Sequence, residues 1–234
     1  EVGIQLPPAK QVMLESRLRK RLRALGLTDF SQYVGRVIGP QRDEAEVIQL
    51  IDAVTTNKTD FFREPQHFTY LTEEVLPRRA RSGVSSATPF VVWSAASSTG
   101  EEPYTLAIVL SEYAAQQPLA WRVVATDIST AVLARAQRAV YAESSIAALP
   151  AALKKAYFLR SREREQALVR VKPALRQSVQ FKRLNLLDRS YEVPRPLDVI
   201  FCRNVFIYFD RPTQQQILLR FIACLRLDGF IFLG

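Results

Sequence analysis

One histidine and two cysteines are all that 234 residues hold of the side chains that most often carry metal or nucleophilic chemistry. His67 has no Cys/His cluster around it in the sequence, which argues against a structural zinc and against a His-based catalytic triad. Cys202 and Cys224 read as buried free thiols of a reducing compartment. No apolar run approaches the ~20 residues of a membrane helix, and Glu1 to Lys10 has neither the apolar core nor the small-residue cleavage site of a secretory signal. The expectation is a cytoplasmic protein that inserts into no membrane. A glycine-rich G-x-G-x-x-G string is absent too, and that absence bears on the cofactor below.

What is present is globular and basic. Hydrophobic residues make up 48% and charged residues 24% of the chain, which excludes a disordered or collagen-like polymer. Lys and Arg number 32 against 23 Asp and Glu, so the net charge is +9 and an acidic partner is expected. Nucleic acid, an anionic membrane surface and an acidic protein segment all answer to that description. Two stretches supply most of the excess, Lys10 to Arg23 and Lys154 to Arg183.

Hydrophobic spacing divides the chain. Leu14, Leu18, Leu22 and Leu25 share one helical stripe that Gly26 ends, and further helices are expected over Asp29 to Ile38 and Asp43 to Val54. Residues 1–55 thus read as a small N-terminal helical domain. On its first helix Arg17, Lys20 and Arg21 share another face, either solvated or a docking surface for an acidic partner. Residues 56–89 read as a linker and helix, with Ser82 to Pro89 polar and punctuated by Gly and Pro.

From residue 90 onward strands and helices alternate. Phe90 to Ala95, Arg122 to Thr126, Val179 to Leu184, Leu197 to Phe201 and Phe230 to Leu233 read as strands. Glu102 to Ala115, Ser129 to Ala139 and Pro212 to Leu225 read as helices. That order implies parallel βαβ units in a doubly wound, Rossmann-like α/β sheet. A small β insertion is expected at about 155–183, where L-V-R-V-K alternates.

Ligands of such sheets bind at the carboxyl ends of the strands. After the first strand, S-S-T-G-E-E-P-Y (Ser97 to Tyr104) holds a single glycine and two carboxylates, which disfavours a pyrophosphate. Glu101 and Glu102 suit a ligand with positive charge, although acids in a helix's first turn also complement its macrodipole. Asp127, at the end of the second strand, suits either two ribose hydroxyls or the cap of the next helix. Asn185 in N-L-L-D can pair with an adenine edge beside Leu186, and C-R-N-V-F-I-Y-F-D brings Arg203, Asn204 and Tyr208 to the same rim. T-N-K-T-D-F-F-R-E adds Asn57, Thr59 and Arg63, in what is equally an ordinary loop and helix cap. A nucleoside with a cationic tail fits the set, and S-adenosylmethionine has that combination.

These strings, together with R-L-R-K-R-L-R-A-L-G-L, A-T-D-I-S and W-S-A-A-S-S-T-G-E-E-P-Y, resemble over nearly the whole chain the chemotaxis receptor methyltransferases, the CheR family. The resemblance implies methyl transfer from S-adenosylmethionine to glutamates on the cytoplasmic helices of chemoreceptors, with S-adenosylhomocysteine as product and no metal. It places Asn57, Thr59, Arg63, Glu102, Asp127, Asn185, Leu186, Cys202 and Arg203 at cofactor-binding positions. Arg63 and Tyr208 fall where the incoming carboxylate and the transferring methyl would lie. Arg17, Lys20 and Arg21 would meet the acidic methylation helices. The implied partner is a receptor beside its membrane, approached by a monomer, and not nucleic acid; no N/D-P-P-Y/F motif of amine-methylating enzymes occurs. Family members typically continue beyond F-I-F-L-G with a G-H-S-E stretch, so a C-terminally truncated methyltransferase domain is expected. S-R-E-R-E-Q replaces the glycine-rich connection found in some members.

Overall fold

The computed structural model describes residues 11–55, 57–81 and 87–234, together with residues 3, 83 and 85. Lys10, Thr56, most of the first ten residues, and Ser82, Val84 and Ser86 of the expected linker lie outside the described residues.

Three helices form the N-terminal unit: α1 (Gln11–Leu25), α2 (Phe30–Val37) and α3 (Glu44–Val54). Asp29 caps α2 by accepting from Gln32 N, and Asp43 caps α3 by accepting from Ala45 N and Glu46 N. Leu22, Tyr33, Val37, Val47 and Ile51 make their shared core, with Leu18 and Leu25 of the predicted stripe packed against it. Glu46 is buried inside this unit, bonded by Arg21 (Nε to Oε1 3.0 Å, Nη2 to Oε2 2.6 Å) and by Tyr33 Oη (2.8 Å).

The hydrogen bond from Arg21 outweighs burial and holds the Glu46 carboxyl below its ordinary 4.5. A carboxyl depressed on folding contributes stability that is complete above its unfolded value and is lost as pH falls through the folded one. Glu46→Gln is therefore expected to lower the urea midpoint at pH 7 and to flatten its decline on acidification below 4.5. Parallel midpoint curves for the two proteins would refute the assignment.

A second helical stretch follows: α4 (Gln66–Tyr70), a π turn over Leu71–Val75, and α5 (Leu76–Arg81). The sheet domain then runs β1 (Phe90–Ala95), α6 (Glu101–Gln116), β2 (Trp121–Asp127) and α7 (Thr130–Arg138). It continues through β3 (Val140–Ala142), α8 (Ala151–Tyr157), β4 (Phe158–Arg160), β5 (Leu168–Val171) and α9 (Pro173–Gln177). It closes with β6 (Val179–Arg183), β7 (Leu197–Cys202), α10 (Arg211–Ile222) and β8 (Leu225–Leu233).

The main sheet has the order β6-β2-β1-β7-β8, every pair parallel. Its central strands β1 and β7 are buried at every residue, as apolar runs covered on both faces must be. Successive residues serve opposite cores. Phe90, Val92, Val199 and Phe201 face one with Leu106 and Ile108 of α6, while Val91, Trp93, Ile200 and Cys202 face the other with Ile217 and Phe221 of α10.

Two boundaries differ from the sequence reading. The β insertion is a three-stranded antiparallel sheet, β3-β5-β4, that opens at Val140 and closes at Val171, not at about 155–183. Val140–Ala142 is too short to register as a strand by alternation, and β6 pairs with β2 in the main sheet. The last strand begins at Leu225, because the chain turns back onto β7 at Leu197 before the apolar run at Phe230.

Candidate active site

Chain direction across the sheet reverses between β1 and β7, and there an open α/β sheet leaves a crevice at its carboxyl edge. A solvent-open cleft lies at that point. Asn57, Thr59, Arg63, Glu102, Asp127, Asn185, Leu186, Arg203, Asn204 and Tyr208 all line it, drawn from five separate segments of the chain.

The turn after β1 is shaped for close approach. Ala96 (φ 59°) and Ser98 (φ 50°) are left-handed, a conformation non-glycine residues adopt at a cost of order 1–3 kcal/mol each. Gly100 has φ 99°, and a Cβ there would sit 2.8 Å from Tyr141 Oη and 2.9 Å from Ala136 Cβ. Glycine is thus required both by the turn and by the packing of α6 on α7. Asp127 holds this turn, with Oδ2 accepting from Ser98 N (2.9 Å) and Oδ1 from Ser129 N (2.9 Å). Burial pushes its carboxyl up, against the pull of those amides. The helix cap weighed for Asp127 belongs to Ser129, whose hydroxyl accepts from Val132 N.

Opposite Asp127 stands a buried charge cluster centred on Arg203, which is 8% exposed. Its Nη1 donates to Glu102 Oε2 (3.2 Å), its Nε to Glu64 Oε2 (3.4 Å), and its Nη2 to Arg63 O. Glu102 also accepts from Ser94 Oγ (2.7 Å). Burial drives the Glu102 carboxyl upward, with the Arg203 charge opposing. Burial also acts upward on Glu64, but there Asn204 (Nδ2 to Oε1, 3.3 Å) and Arg203 prevail and hold the group down. His67 lies behind this cluster, its Nδ1 3.4 Å from Glu64 Oε2. Burial and the Arg203 charge depress its pKa, with the Glu64 charge opposing. Arg63 is half-buried at the rim, where Nη1 donates to Lys58 O (3.1 Å).

Several expected site residues lie elsewhere. Cys202 is buried in the core on the α10 side, and its thiol is not part of the cleft wall. At the end of β7 its neighbour Arg203 takes the rim, because alternate residues face opposite ways. Glu101 turns away from the cleft onto Thr99 Oγ1 (2.6 Å), one helical step of about 100° from Glu102. Arg17 and Arg21 are not a free basic face. Arg17 donates to Ala53 O (2.9 Å) and Thr55 O (2.8 Å), and Arg21 pairs with Glu46. Four residues apart, they flank the leucine stripe on the side that meets α3, whose terminal carbonyls and buried carboxylate attract them. Lys20 is exposed, as are Arg19 and Arg23. The sequence reading also missed Ser97, Ser98, Lys58, Asp60, Ile128 and Leu184 of the wall, and Glu64 behind it. Only the S-S pair before Gly100 offered a signal, as a turn.

Comparison with known proteins gives this cleft a context. Residues 57–234 match the family model described as CheR methyltransferase, SAM binding domain, and residues 1–55 match CheR methyltransferase, all-alpha domain. The chain belongs to the CheR methyltransferase family. It is 44% identical over 232 residues to the chemotaxis protein methyltransferase of Salmonella typhimurium, covering 99% of this chain and 77% of that protein. The Escherichia coli counterpart is also 44% identical, with 99% and 78% covered. Chemotaxis protein methyltransferase 2 of Pseudomonas aeruginosa is 42% identical, with 99% and 80% covered.

The cofactor of a CheR methyltransferase is S-adenosylmethionine, and the residues of this cleft suit it. Two carboxylates, the buried Asp127 and the partly buried Glu102, border it, and Ile128, Leu184 and Leu186 supply apolar wall. Ser97 Oγ, also in the wall, is buried without a hydrogen-bond partner among the described residues, and a polar ligand would supply one. Among the described residues no group of three His, Cys, Asp or Glu could hold a metal ion, and no helix is long and apolar enough to cross a membrane.

Proposed function

We propose that this chain methylates glutamate side chains on the cytoplasmic helices of chemoreceptors, giving methyl esters, with S-adenosylhomocysteine as second product. The observation that carries this reading is the union, in one cleft, of a carboxylate-lined inner wall with Arg63 and Tyr208. A guanidinium and a phenol are suited to receive an incoming carboxylate. The names of the relatives, all chemotaxis protein methyltransferases, support the same reading.

S-adenosylmethionine, when bound, supplies a methyl group already activated by its sulfonium. Asp127 is assigned the ribose hydroxyls, Asn185 and Leu186 the adenine, and Glu102 the cationic end, with Asn57, Thr59, Arg203 and Asn204 completing the wall. The protein is asked for little proton transfer, because a glutamate of ordinary pKa near 4.3 is about 99.8% ionised at pH 7. This suits a cleft whose wall holds no histidine, His67 lying behind it. The contribution required is orientation, which supplies up to about 7–11 kcal/mol when reacting groups are held in near-attack geometry. Arg63 and Tyr208 are the residues assigned to hold the carboxylate.

The test is radiolabel transfer from S-adenosylmethionine to receptor fragments as base-labile methyl ester. Label appearing on nucleic acid, or none on receptor glutamates, would overturn the reading. Arg63→Ala is expected to lower kcat by at least about tenfold and by a larger factor than it weakens cofactor binding, as removal of a group that acts on the incoming carboxylate should. Equal losses in both would sink the orienting role.

Docking is assigned to the exposed cations of α1, Lys20 with Arg19 and Arg23, toward acidic methylation helices. Complementary charge of this kind raises the encounter rate and is screened by salt. Receptor methylation is therefore expected to slow by about an order of magnitude between 50 and 300 mM salt. A flat profile would leave α1 a merely solvated helix.

A further inference from the structure

The N-terminal helices and the cofactor cleft are joined by a continuous run of hydrogen bonds. Arg17 Nη1 donates to Ala53 O (2.9 Å) and Thr55 O (2.8 Å), where α3 ends. Thr55 Oγ1 donates to Asp52 O (3.2 Å) and accepts from Asn57 Nδ2 (3.2 Å). Asn57 O accepts from Ser98 Oγ (3.1 Å), and Ser98 N donates to Asp127 Oδ2 (2.9 Å). The run starts on the basic helix and ends on the carboxylate assigned to the ribose.

This path matters because of what the middle of it is made of. Val54, Thr55 and residues 57–60 form one wall of the cleft, yet residues 57–60 belong to no helix or strand. Side chains hold them: Ser98 on Asn57 O, Arg63 on Lys58 O, and Thr105 Oγ1 accepting from Phe62 N just beyond. At the near end the anchor is Arg17, a cation set against the negative pole of α3. Without it the carbonyls of Ala53 and Thr55 lose this donor from α1.

We propose that Arg17 is a positioning residue of the cofactor cleft. It sets the wall of Thr55 and residues 57–60 and, through Asn57 and Ser98, the seat of the Asp127 carboxylate. In this role the loss of Arg17 is felt first in cofactor affinity. The inference rests on the assignment of Asp127 to the cofactor and is independent of the methyl acceptor.

Calorimetric titration of the chain with S-adenosylhomocysteine tests it, for the parent, Arg17→Gln, Ser98→Ala and the double variant. Each single variant is expected to weaken binding, Arg17→Gln by about tenfold, in the usual range for coupled sites. The double variant should bind no more weakly than the worse single one, because both interrupt one path. Unchanged affinity in Arg17→Gln, or losses that simply add, would overturn the proposal. Glu46→Gln is the control for general loosening, since it removes the other cationic tie between α1 and α3, the Arg21–Glu46 pair. It is expected to bind S-adenosylhomocysteine as the parent does. A loss equal to that of Arg17→Gln would assign the effect to helix packing and refute a specific path. Should Arg17→Gln fail to fold, Arg17→Lys keeps the charge without the guanidinium fork, and its expected affinity lies between parent and Ser98→Ala; parental affinity there would count against the proposal. Failure of the parent itself to bind would instead strike at the cofactor assignment.

Discussion

Asp127→Ala is expected to weaken S-adenosylmethionine and S-adenosylhomocysteine binding by at least about 100-fold, since each hydrogen bond to a charged group contributes about 1.5–3 kcal/mol and two are lost. A second loss compounds it. The carboxylate also accepts from Ser98 N and Ser129 N, so alanine leaves both amides without their acceptor and frees the strained turn at Ala96 and Ser98. Asp127→Asn is no conservative substitute, because its amide NH2 would face one of those two N–H donors. Calorimetric titration decides the matter, with a denaturation midpoint near the parent's as the check on folding. Retained micromolar affinity in a folded Asp127→Ala protein would remove Asp127 from the cofactor site.

The largest effect on stability is expected at the opposite end of the sheet. Asp198, 4% exposed and the second residue of β7, accepts from Arg79 Nε (2.6 Å), Arg226 Nη1 (2.9 Å) and Val91 N (2.8 Å). One carboxylate thereby ties α5, β1, β7 and β8 together near the amino ends of the strands, away from the cleft. Deleting one partner of such a buried cluster leaves the others uncompensated, at about 3–5 kcal/mol. At roughly 2–4 °C per kcal/mol for a chain of this size, Asp198→Ala should melt about 6–20 °C below the parent. Cofactor affinity of whatever remains folded should be unchanged, because no residue of this cluster lines the cleft. A melting shift under 3 °C would mean that the two arginines find water or other acceptors and that the tie is not structural.

These two aspartates show how unevenly the molecule can be read from its residues. Asp127 follows an apolar run and precedes a helical pattern, so the rule that ligands meet strand carboxyl ends was enough to single it out. Asp198 sits inside an apolar run, where its charge looks like an interruption of β7. Its partners lie 119 and 28 residues away in the chain, and only the pairing of four elements brings them together. The arginines of α1 repeat the lesson. Helical spacing correctly grouped Arg17 and Arg21, but which neighbour their face would meet is decided by where α3 packs. The choice between Glu101 and Glu102 has the same character, a rotation of one residue about α6 that only the orientation of the whole helix on the sheet settles.

The sequence by itself determined what is local or periodic: the order of strands and helices from apolar runs, the glycine at the tight turn, and the short strings that carry the family likeness. Tertiary structure alone decided which charges are spent internally and which face the cleft. Burial and partner are properties of segments distant in sequence, and an arginine reads the same whether it meets a receptor, a helix end or a buried glutamate.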